Sequence, residues 1–72
     1  MDYKVQVFVA HGYYQYEVAT AEKAIAHAQA ITNSQVYRRV TEEGSVEFYK
    51  PYKVKVKGPD LGTAYPDTFH RT

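Results

Sequence analysis

The sequence predicts a small α+β domain, with an antiparallel β-sheet, one α-helix packed on one face and the element order ββαβββ. Two observations predict it. Several short segments alternate apolar and polar residues with a period of two, as strands do, and one central segment has helical spacing instead. The 72 residues allow a single domain, and the content of 44% hydrophobic and 15% aromatic residues is typical of a folded chain.

The first two strands are predicted over Tyr3–Val9 and Tyr13–Val18, joined by a turn at His11-Gly12. Valines occupy alternate positions of the first strand, so one of its faces is expected to be buried. Glycine tolerates the positive φ that a tight hairpin needs. These segments therefore predict an antiparallel hairpin.

The helix is expected to begin after Thr20, whose hydroxyl can cap it, and to stop near Asn33-Ser34. Glu22 in the first turn suits the positive end of the helix dipole. The apolar residues follow i, i+3, i+4 spacing and are mostly small, so the helix can lie close to the sheet. This face consists of Ala21, Ala24, Ile25, Ala28 and Ile31.

Three further strands are predicted over Val36–Thr41, Ser45–Lys50 and Tyr52–Lys57. Gly44 supplies the turn between the first two of them. Pro51 removes a donor from the ladder, which predicts a bend or an edge position and leaves open a single long bent strand.

The domain is assigned to residues 1–57, and residues 58–72 are predicted to form a loop tail that can dock on it. Glycine, proline and aspartate recur in this segment, as they do in loops. Three apolar residues could hold the tail against the domain: Leu61, Tyr65 and Phe69.

The sequence contains no catalytic motif that we can identify, so we predict a protein that is not an enzyme and needs no cofactor. The absence of cysteine excludes disulfides and thiolate metal sites. The histidines, His11, His27 and His70, have no metal-ligand spacing, so solvated or half-buried roles are expected. Because no signal peptide or apolar run of about 20 residues is present, we expect a cytoplasmic protein without a membrane span.

Positive charge is concentrated between residues 36 and 57, which contain six basic residues and three acidic ones. Tyr37, Tyr49 and Tyr52 lie among them. Three interpretations remain open: contact with nucleic acid, contact with an acidic protein surface, and lysines that protect an edge strand from aggregation.

Tyrosine is unusually frequent, with eight residues, and tyrosine and arginine are enriched at interface hot spots. We therefore predict a binding module that contacts a protein partner. Tyrosine and arginine cluster in the second half of the chain, at positions that the apolar alternation leaves off the core. The candidate binding residues there are Tyr37, Arg38, Arg39, Tyr49, Tyr52, Lys53 and Lys55. Two alternatives are a small nucleic-acid-binding domain that uses strands 36–57 and a structural protein that forms homo-oligomers.

Four segments resemble small accessory proteins of tailed phages, especially phages of actinobacteria. These segments are Val36–Arg39, Gly44–Tyr49, Val54–Gly58 and Tyr65–Phe69, and the resemblance spans about residues 36–70. It implies an uncharacterised accessory product, of a kind that can engage or inhibit a host protein in the host cytoplasm. It assigns a role to no individual residue.

Overall fold

A computed structural model describes residues 3–63 and 65–70. It confirms the α+β class, with one helix and a mainly antiparallel arrangement of strands. The strands are β1 (Tyr3–Val9), β2 (Gly12–Val18), β3 (Tyr37–Val40), β4 (Val46–Tyr49), β5 (Lys53–Lys57) and β6 (Thr68–His70), and the helix is α1 (Ala21–Ser34).

The main sheet has four antiparallel strands in the order β2-β1-β5-β6. β1 lies in its interior, where Val5 pairs with Tyr16 on one side and with Val56 on the other. Directly paired residues of antiparallel strands point to the same face. The alternating valines of β1 and β5 therefore form one continuous apolar face.

The core lies between this apolar face and the helix. It consists of Val5, Val7, Val9, Val54, Val56, Ala24 and Ala28, each at most 3% exposed. The two alanines bring the helix close to the sheet because they carry no bulk beyond Cβ. The predicted helix face is confirmed, with its two central alanines fully buried and its other members half-buried.

Both ends of the helix have identifiable caps. Thr20 is the N-cap, and its Oγ1 accepts a hydrogen bond of 3.1 Å from the Lys23 backbone N–H. Gln35 ends the helix in the left-handed conformation, with φ of 58°, and its N–H donates to the Ile31 carbonyl at 3.0 Å. The predicted start and stop are thus confirmed.

The predicted third and fourth strands form a separate two-stranded sheet, the β3–β4 hairpin. The possibility of one long bent strand is wrong, because β4 and β5 lie in different sheets. Pro51 is buried at the crossing between them. A proline there interrupts the ladder, and the chain uses that interruption to pass from one sheet to the other.

β5 occupies an interior position, paired with β1 and β6. The hypothesis that its lysines guard an edge strand is therefore wrong, as is the possible edge position after Pro51. The loop prediction for the tail is wrong over Thr68–His70, which form β6, with Phe69 opposite Val54. Leu61 and Phe69 pack against the core, whereas Tyr65 is exposed.

Candidate binding surfaces

The seven predicted binding residues do not form one site. The structure places Tyr37, Arg39 and Tyr49 on the inner face of the β3–β4 hairpin, and Arg38 on its outer face. The remaining three lie on or beside β5, on the other side of the main sheet. These are Tyr52, Lys53 and Lys55.

The inner face of the hairpin packs on β2 through a tyrosine cluster, which consists of Tyr14, Tyr16, Tyr37 and Tyr49. The Tyr14 ring centroid lies 5.1 Å from that of Tyr49 and 5.9 Å from that of Tyr37. Tyr16 stacks on Tyr37, and its hydroxyl lies 2.9 Å from His27 Nδ1 on the helix. The cluster thus joins sheet, helix and hairpin.

Glu47 organises the polar side of this cluster. Its Oε1 accepts hydrogen bonds from Tyr49 Oη at 2.7 Å and from Arg39 Nη1 at 3.0 Å. The Arg39 guanidinium also lies 4.8 Å from the Tyr14 ring centroid, within reach of a cation–π interaction. The Tyr49 hydrogen bond, followed by the hydrogen bond and charge of Arg39, lowers the pKa of Glu47.

Three tyrosines of the cluster, Tyr16, Tyr37 and Tyr49, have a pKa raised above that of free tyrosine. Burial, followed by interaction with Tyr37, raises the pKa of Tyr16 to about 12. Burial also raises the pKa of Tyr37. Interaction with the Tyr14 hydroxyl and then with the Glu47 carboxylate raises the pKa of Tyr49. At neutral pH these side chains are uncharged hydrogen-bonding groups.

The prediction that Tyr37 and Tyr49 lie off the core is therefore wrong. Both are half-buried and pack against the core residues. The alternation of β4 is the reverse of the expected one, because Glu47 and Tyr49 face inward and the apolar Val46 and Phe48 face outward. On the inner side, Tyr49 packs against the Tyr14 ring of β2 and Glu47 forms an ion pair with Arg39 of β3.

The outer hairpin face consists of Arg38, Val40, Val46 and Phe48. Arg38 pairs across the strands with Phe48, and Val40 with Val46, so all four share one side. Phe48 is 65% exposed, Val40 55% and Val46 42%. Contiguous exposed apolar residues beside a charged group are typical of interaction surfaces.

Three of these four residues were missed by the sequence reasoning, which selected only Arg38. The only signal in the sequence is the alternation of β4. It separates two faces of the strand but does not show which of them packs on the sheet. Glu47 lies between the two outward apolar residues of β4. Its inward position can be predicted only when its partners, Arg39 and Tyr49, are known.

The open face is the side of the main sheet opposite the helix. The pairings of β1 place three rows of side chains there. The rows are Glu17-Lys4-Lys57, Gln15-Gln6-Lys55-Thr68 and Tyr13-Phe8-Lys53-His70. This face gathers four lysines and a single carboxylate.

Three aromatic rings cluster at one end of the open face. The Phe8 ring centroid lies 5.2 Å from that of Tyr13 and 6.4 Å from that of Tyr52. Lys53 Nζ lies 4.6 Å from the Phe8 ring centroid. Tyr13 and Tyr52 are each 54% exposed, so both rings have surface available to a ligand.

The predicted residues Tyr52, Lys53 and Lys55 are therefore brought together, and they are joined by residues that the sequence reasoning left out. Lys4, Phe8 and Tyr13 come from the first hairpin, and Lys57 from the end of β5. Their membership depends on the pairing of β1 with β5, which joins segments far apart in sequence.

Within residues 3–63 and 65–70 there is no pocket and no group of three or more potential metal ligands. His11 Nε2 lies 2.9 Å from the Tyr14 hydroxyl, and His27 makes the contact with Tyr16 given above. No helix in the described part has the length and apolar character to cross a membrane.

Comparisons of the chain with protein-family models, with curated proteins and with solved structures find no match.

Proposed function

We propose that the protein is a non-catalytic protein-binding module and that its contact surface is the outer hairpin face. The observation that carries this proposal is the outward direction of Val40, Val46 and Phe48. Valine and phenylalanine side chains are among those most often buried in folded proteins. Removing them from water on contact with a partner contributes about 25 cal/mol per Å² of apolar surface.

The side chains of the outer hairpin face indicate which kind of partner surface would fit it. Aromatic residues, phenylalanine included, and arginine are enriched at protein interfaces. Within the described residues the one ion pair joins Arg39 to Glu47, so the Arg38 guanidinium has no carboxylate partner there. The fitting partner is therefore a protein with an apolar depression that accepts Phe48 and a carboxylate at its rim.

The resemblance of residues 36–70 to accessory proteins of tailed phages supports a bacterial host protein as this partner, and the proposed contact is one made in the host cytoplasm. The hairpin that carries the outer face lies within the resembling segment. A phage accessory protein that inhibits or redirects a host factor needs only such a contact surface and no catalytic groups.

The proposal is tested by affinity capture from a bacterial lysate treated with nuclease, read by mass spectrometry. The wild type is compared with Phe48→Ala and with Tyr13→Ala, a matched control that removes an exposed ring from the other side of the molecule. We expect one protein to be captured by the wild type and by Tyr13→Ala, and to be lost with Phe48→Ala.

Two results would contradict the proposal. Capture that is unaffected by Phe48→Ala would show that the outer hairpin face is not the contact. A mass in solution that doubles with concentration, and returns to the monomer value with Phe48→Ala, would show that this face joins two copies of the chain. That result would support the homo-oligomer alternative.

A further inference from the structure

We propose that the open face of the main sheet binds single-stranded nucleic acid, with its lysines on phosphates and its exposed tyrosine rings stacked on bases. This site lies on the opposite side of the sheet from the helix and uses none of the residues of the outer hairpin face. It is therefore independent of the proposed protein contact.

The charge of the open face specifies an anionic ligand. Four lysines and one glutamate give it a formal charge of +3, although the whole chain carries only +1. The glutamate, Glu17, lies at one corner opposite Lys4. The rows that contain Lys53 and Lys55 have no carboxylate among their own residues. The Asp67 carboxylate lies at the end of the Lys55 row, where Thr68 Oγ1 donates to it.

The lysines have a spacing suited to a polymer rather than to an isolated anion. Lys53, Lys55 and Lys57 alternate along β5 and point to the same face. Residues two apart in a strand are separated by about 7 Å. That distance is close to the separation of successive phosphates in an extended single strand, so the row can follow one nucleic acid backbone.

The aromatic rings distinguish a nucleic acid from an acidic peptide. Carboxylates would satisfy the lysines but would give no role to three rings gathered at the end of the lysine row. Bases stack on such rings, and sheet faces that combine exposed aromatics with basic residues are a recurrent platform for single strands. Tyr13 and Tyr52 flank Phe8 and present the exposed rings.

Existing contacts hold this platform in place before a ligand arrives. Lys53 lies over the Phe8 ring, and the Tyr52 backbone N–H donates to the Phe8 carbonyl at 3.0 Å. Gln6 Nε2 donates to Gln15 Oε1 at 2.8 Å, which ties the middle row across β1 and β2. A preorganised surface loses less conformational entropy when it binds.

The test is the fluorescence anisotropy of labelled oligo-dT and oligo-U of about 12 nucleotides, a length within the range occupied by one small domain. We expect binding at low salt that weakens as salt rises. The slope of log affinity against log salt should be about −2 if three lysines contact phosphates, because each contact contributes about −0.7.

Variants test the lysines and the tyrosines of the open face separately. Lys55→Gln should make the salt slope shallower by about 0.7, whereas the matched control Lys23→Gln, on the exposed side of the helix, should not. Tyr13→Leu and Tyr52→Leu should each weaken binding about tenfold with little change in slope. Phe48→Ala should leave oligonucleotide binding unchanged, which keeps this test separate from that of the protein contact.

Three outcomes would overturn the inference. The first is an anisotropy that stays flat for both oligonucleotides at low salt. The second is Lys23→Gln weakening binding as much as Lys55→Gln, which would show a non-specific charge effect. The third is polyglutamate competing as well as the oligonucleotide while the tyrosine variants bind normally. That result would assign the face to an acidic protein. Circular dichroism of each variant separates loss of the site from loss of the fold.

Discussion

Tyr16 and Tyr37 lie with their rings parallel, at an interplanar angle of 2° and a centroid separation of 6.4 Å. One ring belongs to the main sheet and the other to the β3–β4 hairpin. The Tyr16 hydroxyl also reaches His27 on the helix. This residue pair therefore links the hairpin to both the main sheet and the helix, and the contacts of Tyr14 with Tyr37 and Tyr49 lie beside it.

Removal of this stack should loosen the hairpin more than the main sheet. Tyr37→Ala is expected to lower the free energy of unfolding by about 2 kcal/mol, less than for a fully buried aromatic because Tyr37 is only half-buried. Hydrogen exchange should accelerate at hairpin amides while β1 and β5 stay protected. The control, Tyr13→Ala, removes an exposed ring and should leave the hairpin protected. Uniform acceleration across all strands would contradict this role.

Glu47 should make stability depend on pH in the acid range. Its folded-state pKa is below the ordinary value of 4.5 because of its hydrogen bonds with Tyr49 and Arg39. The stabilisation is therefore fully present above 4.5 and is lost as the pH falls through the lower folded value. Urea unfolding should show Glu47→Gln less stable than the wild type at neutral pH, with the gap closing in acid. A gap that is constant with pH would refute this account.

The tyrosine cluster should also limit stability at high pH. The pKa of Tyr16 is raised from 10.0 to about 12. The contribution of Tyr16 to the free energy of unfolding is complete below pH 10 and disappears as the pH rises through about 12. The reason is that Tyr16 loses its proton more easily in the unfolded chain. Phenolate absorbance should show some tyrosines titrating late, and Tyr16→Phe should remove one of them. A single titration with ordinary pKa values would show that the cluster does not hold these protons.

A larger side chain at Ala28 should destabilise the fold, because the helix and the sheet are in close contact there. This residue is fully buried against the valines, so Ala28→Leu is expected to cost about 1–3 kcal/mol through overpacking. Ala26 is an exposed position of the same helix, and Ala26→Leu should leave stability nearly unchanged. Thermal unfolding of the two variants makes the comparison. Equal stabilities would mean that the helix can move away from the sheet.

The sequence predicted the elements whose signals are local. The valine alternation of β1, the cap at Thr20 and the small-residue face of the helix each depend on neighbours within a few positions. The three residues of β6 were missed because so short a segment shows no periodicity. It is a strand because Phe69 meets Val54, a partner that local sequence cannot indicate.

The binding surfaces were harder to predict for the same reason. An alternating strand has two faces, and which of them is covered depends on what packs there. Tyr49 packs on Tyr14 of β2 and Glu47 pairs with Arg39 of β3, which leaves Phe48 outside. Lys55 pairs with Gln6 and Thr68, which places it on the open face. Sequence reasoning found Tyr52, Lys53 and Lys55 but not the residues of β1 and β2 that complete their surface.

The interior position of β1 has a consequence for how the chain folds during synthesis. Its pairing with β2 is local, but its pairing with β5 joins Val5 to Val56 and waits until nearly the whole described chain has been translated. Contacts this distant in sequence are slow to form. Until β5 is available, one edge of β1 has unpaired backbone N–H and C=O groups, which can pair with a strand of another chain.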